Sequence, residues 1–257
     1  MKPSGSAVGT LLRAAVFCLI YAGFAIIWSL VCLVIGPFLP FEKRIALVNV
    51  WTRLIFWTLR HVNGVEIEVR GLDGAAVDRP LVIAANHQSN LETFYLQLLF
   101  SPQATILKRE LLWIPFFGWG LKMLRPIAIN RKRASTALRE IVRQGGERLK
   151  QGMHVTIYPE GTRRPPGEPG AFHSGAAMLA RHAGVPILPV AHNAGNCWPA
   201  RSMLPRPGRV IFEIGTPIEP GEFSTKELNA KVEQWVTHKA LELAAMNSDQ
   251  RPVVGGQ

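Results

Sequence analysis

From Ala14 to Gly36 the chain runs without a charged side chain, AAVFCLIYAGFAIIWSLVCLVIG. As a helix this segment is about 34 Å long, enough to cross the hydrocarbon core of a bilayer. A cleaved signal peptide fits it poorly, because the apolar region of such a peptide runs only about 7–15 residues before a small-residue cleavage site. After the break PFLPF and the charges Glu42, Lys43 and Arg44 comes a second apolar segment, IALVNVWTRLIFWTLRHV. It mixes Leu, Ile, Phe and Trp with Arg53 and Arg60, the composition of a helix lying at a membrane interface. Residues 1–62 are therefore expected to form an N-terminal membrane anchor of two helices. One arrangement is a spanning helix with its amino end outside, since more Lys and Arg follow it than precede it. The other is a two-helix hairpin that dips into one leaflet. Both leave the remainder of the chain on the cytoplasmic side, for a bacterial protein at the inner membrane. Two core helices of a soluble protein would run against this hydropathy.

Charge narrows the partners. Twenty-nine Lys and Arg against 18 Asp and Glu give a net charge of +11 in a chain that is 48% hydrophobic. Such a chain suits an anionic membrane surface, nucleic acid or an acidic substrate. Nucleic acid is not expected as a partner, because the sequence holds no basic helix, zinc-ligand spacing or aromatic RNA-binding signature. The cysteines are Cys18, Cys32 and Cys197, two of them inside the apolar N-terminal run, which speaks against a disulfide framework or a structural zinc site.

Beyond residue 62 short apolar runs alternate with helical patterns. Strands are expected at 65–70, 81–86, 104–107, 126–130, 154–159, 186–192 and 209–215, and helices at 91–100, 134–150, 174–183 and 225–246. This alternation predicts an α/β domain over residues 63–250, a mixed sheet covered by helices on both faces, with a loose tail at 251–257. Ligands of such folds bind beyond the carboxyl ends of strands, where ANHQ, INR and YPEGTR all fall.

Four stretches carry candidate chemistry. In ANHQSNLET, His87 leaves an apolar strand and Glu92 follows five residues later. Read as structure, Ser89 and Glu92 form an S-x-x-E capping box. Read as chemistry, His87 is a general base whose second ring nitrogen donates to Glu92, fixing the tautomer and balancing the imidazolium. Taken by itself the stretch permits both. A turn at Gln88–Ser89 is needed for Glu92 to face back. In YPEGTRR, Gly161 allows a tight turn, Arg163 offers a planar fork to phosphate, and Glu160 could hold that guanidinium or meet substrate hydroxyls. An ordinary Pro-Glu-Gly turn with solvated arginines reads equally well. In residues 107–131, basic residues Lys108, Arg109, Arg125 and Arg131 punctuate the aromatics Trp113, Phe116, Phe117 and Trp119. These line an acyl groove, dip into lipid, or serve as core aromatics with snorkelling basic stems. In VPILPVAHN the two prolines confine the segment to a sheet edge or a strand start.

In this order the four stretches resemble the glycerolipid acyltransferase family over about residues 80–195. NHQSNLET is similar to the family's first block, which implies that His87 and Glu92 are the catalytic pair. The run from Lys108 to Arg131 resembles its second block, YPEGTR its third and VPILPV its fourth. The resemblance implies an enzyme that moves an acyl chain from acyl-CoA or acyl carrier protein to the free hydroxyl of a lysophospholipid, most simply 1-acyl-glycerol-3-phosphate. It implies Lys108, Arg131, Glu160, Gly161, Thr162 and Arg163 as acceptor-binding residues, with no cofactor or metal and no covalent acyl-enzyme. Backbone amides at the start of the helix after His87 become candidate oxyanion donors. Two departures stand out. The acidic partner is Glu92 where the family most often has Asp, and Phe172-His173-Ser174-Gly175 replaces a Phe-Lys-x-Gly pattern, which leaves room for another acceptor such as a lyso-ornithine lipid. A membrane lipid-binding protein without turnover is the reading from a different class.

Overall fold

The computed structural model describes residues 7–75, 79–130, 134–200, 202 and 204–249. The expected tail at 251–257 lies outside these residues. The apolar run folds as one helical rod: α1 (Ala7–Cys18), a π-helical stretch Leu19–Phe24, α2 (Ala25–Ile35) and a final 3₁₀ turn Gly36–Phe38. Pro37 and Pro40 end the rod where the sequence breaks. Its Leu12–Phe38 portion is long and apolar enough to cross a membrane. Next comes α3 (Phe41–His61), which starts on Pro40 and carries Glu42 in its first turn and Arg60 and His61 in its last, both signs matching the helix dipole.

The remaining elements are β1 (Val65–Arg70), β2 (Val82–Ala85), α4 (Leu91–Leu99), β3 (Gln103–Lys108), α5 (Phe117–Lys122), β4 (Ile127–Ile129), α6 (Ala134–Lys150), β5 (His154–Ile157), α7 (Gly175–Ala183), β6 (Ile187–His192), α8 (Ala194–Cys197), β7 (Gly208–Ile214) and α9 (Thr225–Asp249). The strands form one sheet in the order β1-β7-β6-β2-β5-β3-β4. Strands β2 to β6 run parallel to one another, and β7 turns against β6 with β1 parallel to it. The sheet is mixed, as expected.

Strand alternation sorts the side chains onto two faces. Val82, Ala84, Val155 and Ile157 point into a core built with α6, α7 and α9. Leu81, Ile83, Ala85, Leu188 and Val190 point the other way, under α3 and α4. This second core also holds Phe17 of α1 and the α3 stripe Trp51, Ile55 and Leu59. Ile55 and Leu59 are fully buried, each stabilising the fold by about 1.5–3 kcal/mol. The chain changes from helix to sheet near residue 62, but packing runs across that point: the N-terminal helices and the sheet share one core. The physical reason is the amphipathic spacing of Trp51, Ile55 and Leu59, which gives α3 a face for the sheet.

The edge-or-start expectation for VPILPVAHN holds only for Pro186. Pro189 lies inside β6, between β7 and β2 in the sheet. Its carbonyl accepts from Gly215, and on the same side Ile187 pairs with Ile218. The β7 ladder begins only at Val190, so the N–H that proline lacks falls at a break in the ladder.

Candidate active site

The parity of β2 carries on past its end. Positions 81, 83 and 85 face α3 and α4, so His87 emerges on that face. Tyr158, just past the neighbouring β5, has the same parity, and the two rings stack with centroids 4.3 Å apart at 20°. The chain then turns through Gln88 and Ser89 before α4 begins at Leu91, which brings Glu92 back beneath the imidazole. His87 Nδ1 lies 2.8 Å from Glu92 Oε1. The same oxygen accepts the Gln88 and Ser89 N–H groups at 3.0 and 2.9 Å. Ser89 Oγ in turn accepts the Leu91 N–H at 3.1 Å. Only the Glu92 half of the expected capping box forms, since Ser89 Oγ meets Leu91 and Asn90 is the N-cap; that half and the His–Glu pair close on a single carboxylate oxygen.

Glu92 is fully buried. Burial by itself would raise its carboxyl, but the imidazoles of His192 and His87 and the Ser89 N–H outweigh it, holding Glu92 below the ordinary value. An ionised Glu92 accepts only, so the neutral His87 ring carries its proton on Nδ1 and keeps a basic lone pair on Nε2. Burial, reinforced by the Glu92 charge, pushes the stacked Tyr158 phenol upward, so it stays protonated.

The YPEGTR loop holds His87 by its backbone. Glu160 Oε2 accepts the His87 N–H at 3.1 Å, and the His87 carbonyl accepts the Arg164 N–H at 2.7 Å. Gly161 makes the turn at φ +69°, a conformation side-chain-bearing residues resist. Arg163 donates Nε to the Ser89 carbonyl at 3.1 Å and Nη2 to the Asn90 side chain, which binds the loop to the start of α4. Glu160 is buried, with Oε1 receiving the Gly170 N–H at 3.4 Å. It therefore supports His87 from behind; it does not hold the Arg163 guanidinium.

Below His87 a cavity of about 530 Å³ runs between α4, β3 and α5. His87, Lys108, Thr162 and Arg163 line its polar end, and Phe94, Phe117, Leu121 and Leu124 its apolar length. Gln103 and Thr105 lie at the far end of β3 from Lys108. The aromatic segment divides its duties. Phe117 and Leu121 face the cavity, whereas Trp113 stays 69% exposed. Gly118 is required here, since a Cβ would lie 2.5 Å from the Leu111 carbonyl oxygen. Among the residues expected at the site, Arg131 lies outside the described residues. The amides at the helix start are occupied: Gln88 and Ser89 donate to Glu92 and Leu91 to Ser89, so these three do not serve as oxyanion donors.

Four contributing residues were missed by sequence reasoning. Tyr158 could have been found from strand parity, because it precedes the Pro-Glu-Gly turn at the level of His87. Tyr21 lines the cavity from the π-helical stretch, where its carbonyl accepts the Trp51 indole at 3.2 Å. Asn86 and His192 interlock: the Asn86 amide pairs with the His192 backbone at 2.9 and 3.0 Å, and His192 Nε2 lies 2.8 Å from the Asn86 carbonyl. This clasp fixes β2 and β6 just behind His87 and spans 106 positions, a separation no local pattern reveals.

Burial pushes the Glu160 carboxyl up to about 7, against the pull of the His87 and Gly170 N–H groups. The folded chain then retains a proton on Glu160 between pH 4.5 and about 7 that the unfolded chain has lost. Stability accordingly falls as pH rises through that window, by up to about 3 kcal/mol. Glu160→Gln is expected to flatten this dependence. Thermal midpoints at pH 5, 6, 7 and 8 check it; variant and wild-type curves that stay parallel would refute it.

A His–carboxylate pair thus stands at the strand ends of an α/β sheet, beside a long apolar cavity with Lys108 and Arg163 at its polar end. The chain belongs to the acyltransferase family, whose model matches residues 66–193. It is 42% identical over 237 residues to the 1-acyl-sn-glycerol-3-phosphate acyltransferase of Pseudomonas aeruginosa, covering 91% of this chain and 92% of that protein. The human 1-acyl-sn-glycerol-3-phosphate acyltransferase beta is 28% identical over 249 residues, 95% of this chain and 86% of that protein. The crystal structure of the 1-acyl-sn-glycerophosphate (LPA) acyltransferase PlsC from Thermotoga maritima superposes with a TM-score of 0.77 at 28% identity, covering 93% of this chain and 97% of that one.

Proposed function

We propose that this acyltransferase moves an acyl chain from a coenzyme A or acyl carrier protein thioester to the free hydroxyl of 1-acyl-glycerol-3-phosphate, giving phosphatidic acid at the cytoplasmic face of the membrane. The observation that carries the reading is the His87–Glu92 bond of 2.8 Å at the mouth of the apolar cavity. His87 Nε2 takes the hydroxyl proton as the oxygen attacks the thioester carbonyl. Glu92 holds the ring and balances the imidazolium. The tetrahedral intermediate expels the thiolate, which recovers the proton from His87. The acyl chain lies along Phe94, Phe117 and Leu121. Lys108 and Arg163 hold the acceptor phosphate, with Thr162 beside them and Gly161 and Glu160 shaping the loop. Arg163 suits this role because two of its nitrogens are already fixed against α4, so little side-chain entropy remains to be lost on binding.

The test is a panel of acceptors given to purified detergent-solubilised protein with labelled palmitoyl-CoA. Arg163→Ala is expected to raise the KM for 1-acyl-glycerol-3-phosphate about 10- to 100-fold, the loss of one or two charge-assisted hydrogen bonds. Neutral acceptors should lose much less. An equal loss on both classes would make Arg163 a structural tie alone. Turnover confined to a lyso-ornithine lipid would replace the acceptor while leaving the chemistry in place. The altered stretch after EGTR motivates that arm: Phe172 is buried and its N–H is bonded to Glu233, and His173 sits against Gly161.

A further inference from the structure

A second cleft, of about 860 Å³, opens on the other side of Arg163. Arg163 and Ala200 line both this cleft and the apolar cavity, so the two meet at a shared threshold beside His87. Arg164, Arg206 and Arg209 join Arg163 along the cleft wall, and none of its described lining residues is acidic. Arg209 also reaches Glu66 and Glu68 on its outer side. The cleft is a braced structure. The Arg164 N–H is bonded to the His87 carbonyl, the Arg206 N–H to the Cys197 carbonyl at 2.6 Å, and the Gly195 N–H to the Gln88 side chain at 3.2 Å. Pro165, Pro166, Pro199 and Pro207 stiffen its walls, which limits the ordering a ligand must impose.

A thioester donor has two unlike halves joined at the reacting carbonyl: an apolar chain, and a long handle carrying phosphate. Two unlike cavities joined beside the base match that division. We propose that the arginine-lined cleft receives the phosphate-bearing handle of the donor, with Arg164 and Arg206 as its contacts, while the acyl chain fills the apolar cavity. The carbonyl then lies at the Arg163–Ala200 threshold, within reach of a hydroxyl activated by His87. The volume lies within the range of small-molecule sites, and arginine forks suit phosphate oxygens. This assignment rests on the acyl-transfer reading above, and it adds where the donor enters. Pantetheine phosphate and nucleotide phosphate share the recognising chemistry.

The test compares wild type with Arg206→Glu and Arg164→Ala, as full-length protein in detergent, on four donors: palmitoyl-CoA, palmitoyl acyl carrier protein, S-palmitoyl-phosphopantetheine and the phosphate-free S-palmitoyl-pantetheine. The variants are expected to raise the KM for palmitoyl-CoA at least tenfold, while their penalty on S-palmitoyl-pantetheine stays within about twofold. A matching penalty on S-palmitoyl-phosphopantetheine and the carrier protein places the pantetheine phosphate in the cleft; a penalty confined to palmitoyl-CoA places the nucleotide phosphates there. An equal penalty on all four donors, or none on any, overturns the proposal. Binding of desulfo-CoA by calorimetry separates it from the reading it rests on. If wild type binds desulfo-CoA and Arg206→Glu binds it at least tenfold more weakly, the cleft assignment stands even where the acceptor turns out to be another lipid. Equal binding by both overturns it.

Discussion

Acyl transfer by His87→Ala is expected to fall about 10²–10⁴-fold in kcat, the span over which a positioned general base contributes. The ring is largely buried, its side chain 12% exposed between the stack on Tyr158 and the bond to Glu92, so some stability should be lost along with the base. Its backbone bonds to Glu160 and Arg164 survive the substitution, so the strand end and the loop stay joined. Membrane attachment should be untouched, because the apolar helix and the base are separate elements. The measurement is kcat for purified protein with saturating palmitoyl-CoA and 1-acyl-glycerol-3-phosphate, alongside a sedimentation assay for membrane binding. Turnover within about tenfold of wild type would remove His87 from the role of base.

Glu92 combines two duties, and two substitutions separate them. Glu92→Gln keeps an acceptor oxygen for the three N–H groups but discards the charge that supports the imidazolium. Its kcat is expected to drop about 10²-fold or more, with a modest change in thermal midpoint. Glu92→Ala leaves the His87, Gln88 and Ser89 donors without their buried acceptor. At about 1–3 kcal/mol for each lost partner, several kcal/mol of stability should go with the activity. Glu92→Asp is shorter by one methylene and cannot hold all three donors at once, so an intermediate rate is expected. Paired kcat and melting measurements on the three variants decide the matter. Wild-type turnover in the Gln variant would make Glu92 a helix cap and nothing more.

The family's usual Asp gives the reason to look closely at this residue. A longer side chain reaches farther, and here the extra reach is used to place one oxygen under both the imidazole and the first turn of the helix. The chemical and structural readings of ANHQSNLET therefore did not compete. The Glu92 half of the capping box and the pairing with His87 coexist because α4 starts at Leu91, after a turn that reverses the direction of Glu92.

Much of the architecture was legible in order along the chain. The strands showed as apolar runs bounded by Gly, Pro and charge, and the anchor showed as an uncharged segment long enough for a bilayer. His87, Glu92, Lys108, Thr162 and Arg163 could be named because four ordered stretches resemble the blocks of one family; residue type alone left a structural reading open for each stretch. Glu160 was named for a different task. Its carboxylate points inward because the turn at Gly161 folds the loop against the backbone of His87, and only the folded path reveals that. The oxyanion expectation narrows for a related reason, since the Gln88, Ser89 and Leu91 amides found acceptors within their own turn.

What the sequence determined by itself was local and periodic: the alternation that makes the sheet, the apolar length that commits residues 14–36 to lipid or core, and the chemistry each side chain can perform. The tertiary structure decided what depends on distance across the chain. It joined the N-terminal helices to the sheet, set Tyr158 against His87, closed the Asn86–His192 clasp, and put an apolar cavity and an arginine-lined cleft on either side of Arg163. Such contacts arise from burying two faces of one sheet at once, and residues more than a hundred positions apart meet there because packing, which has no period in sequence, brings them together.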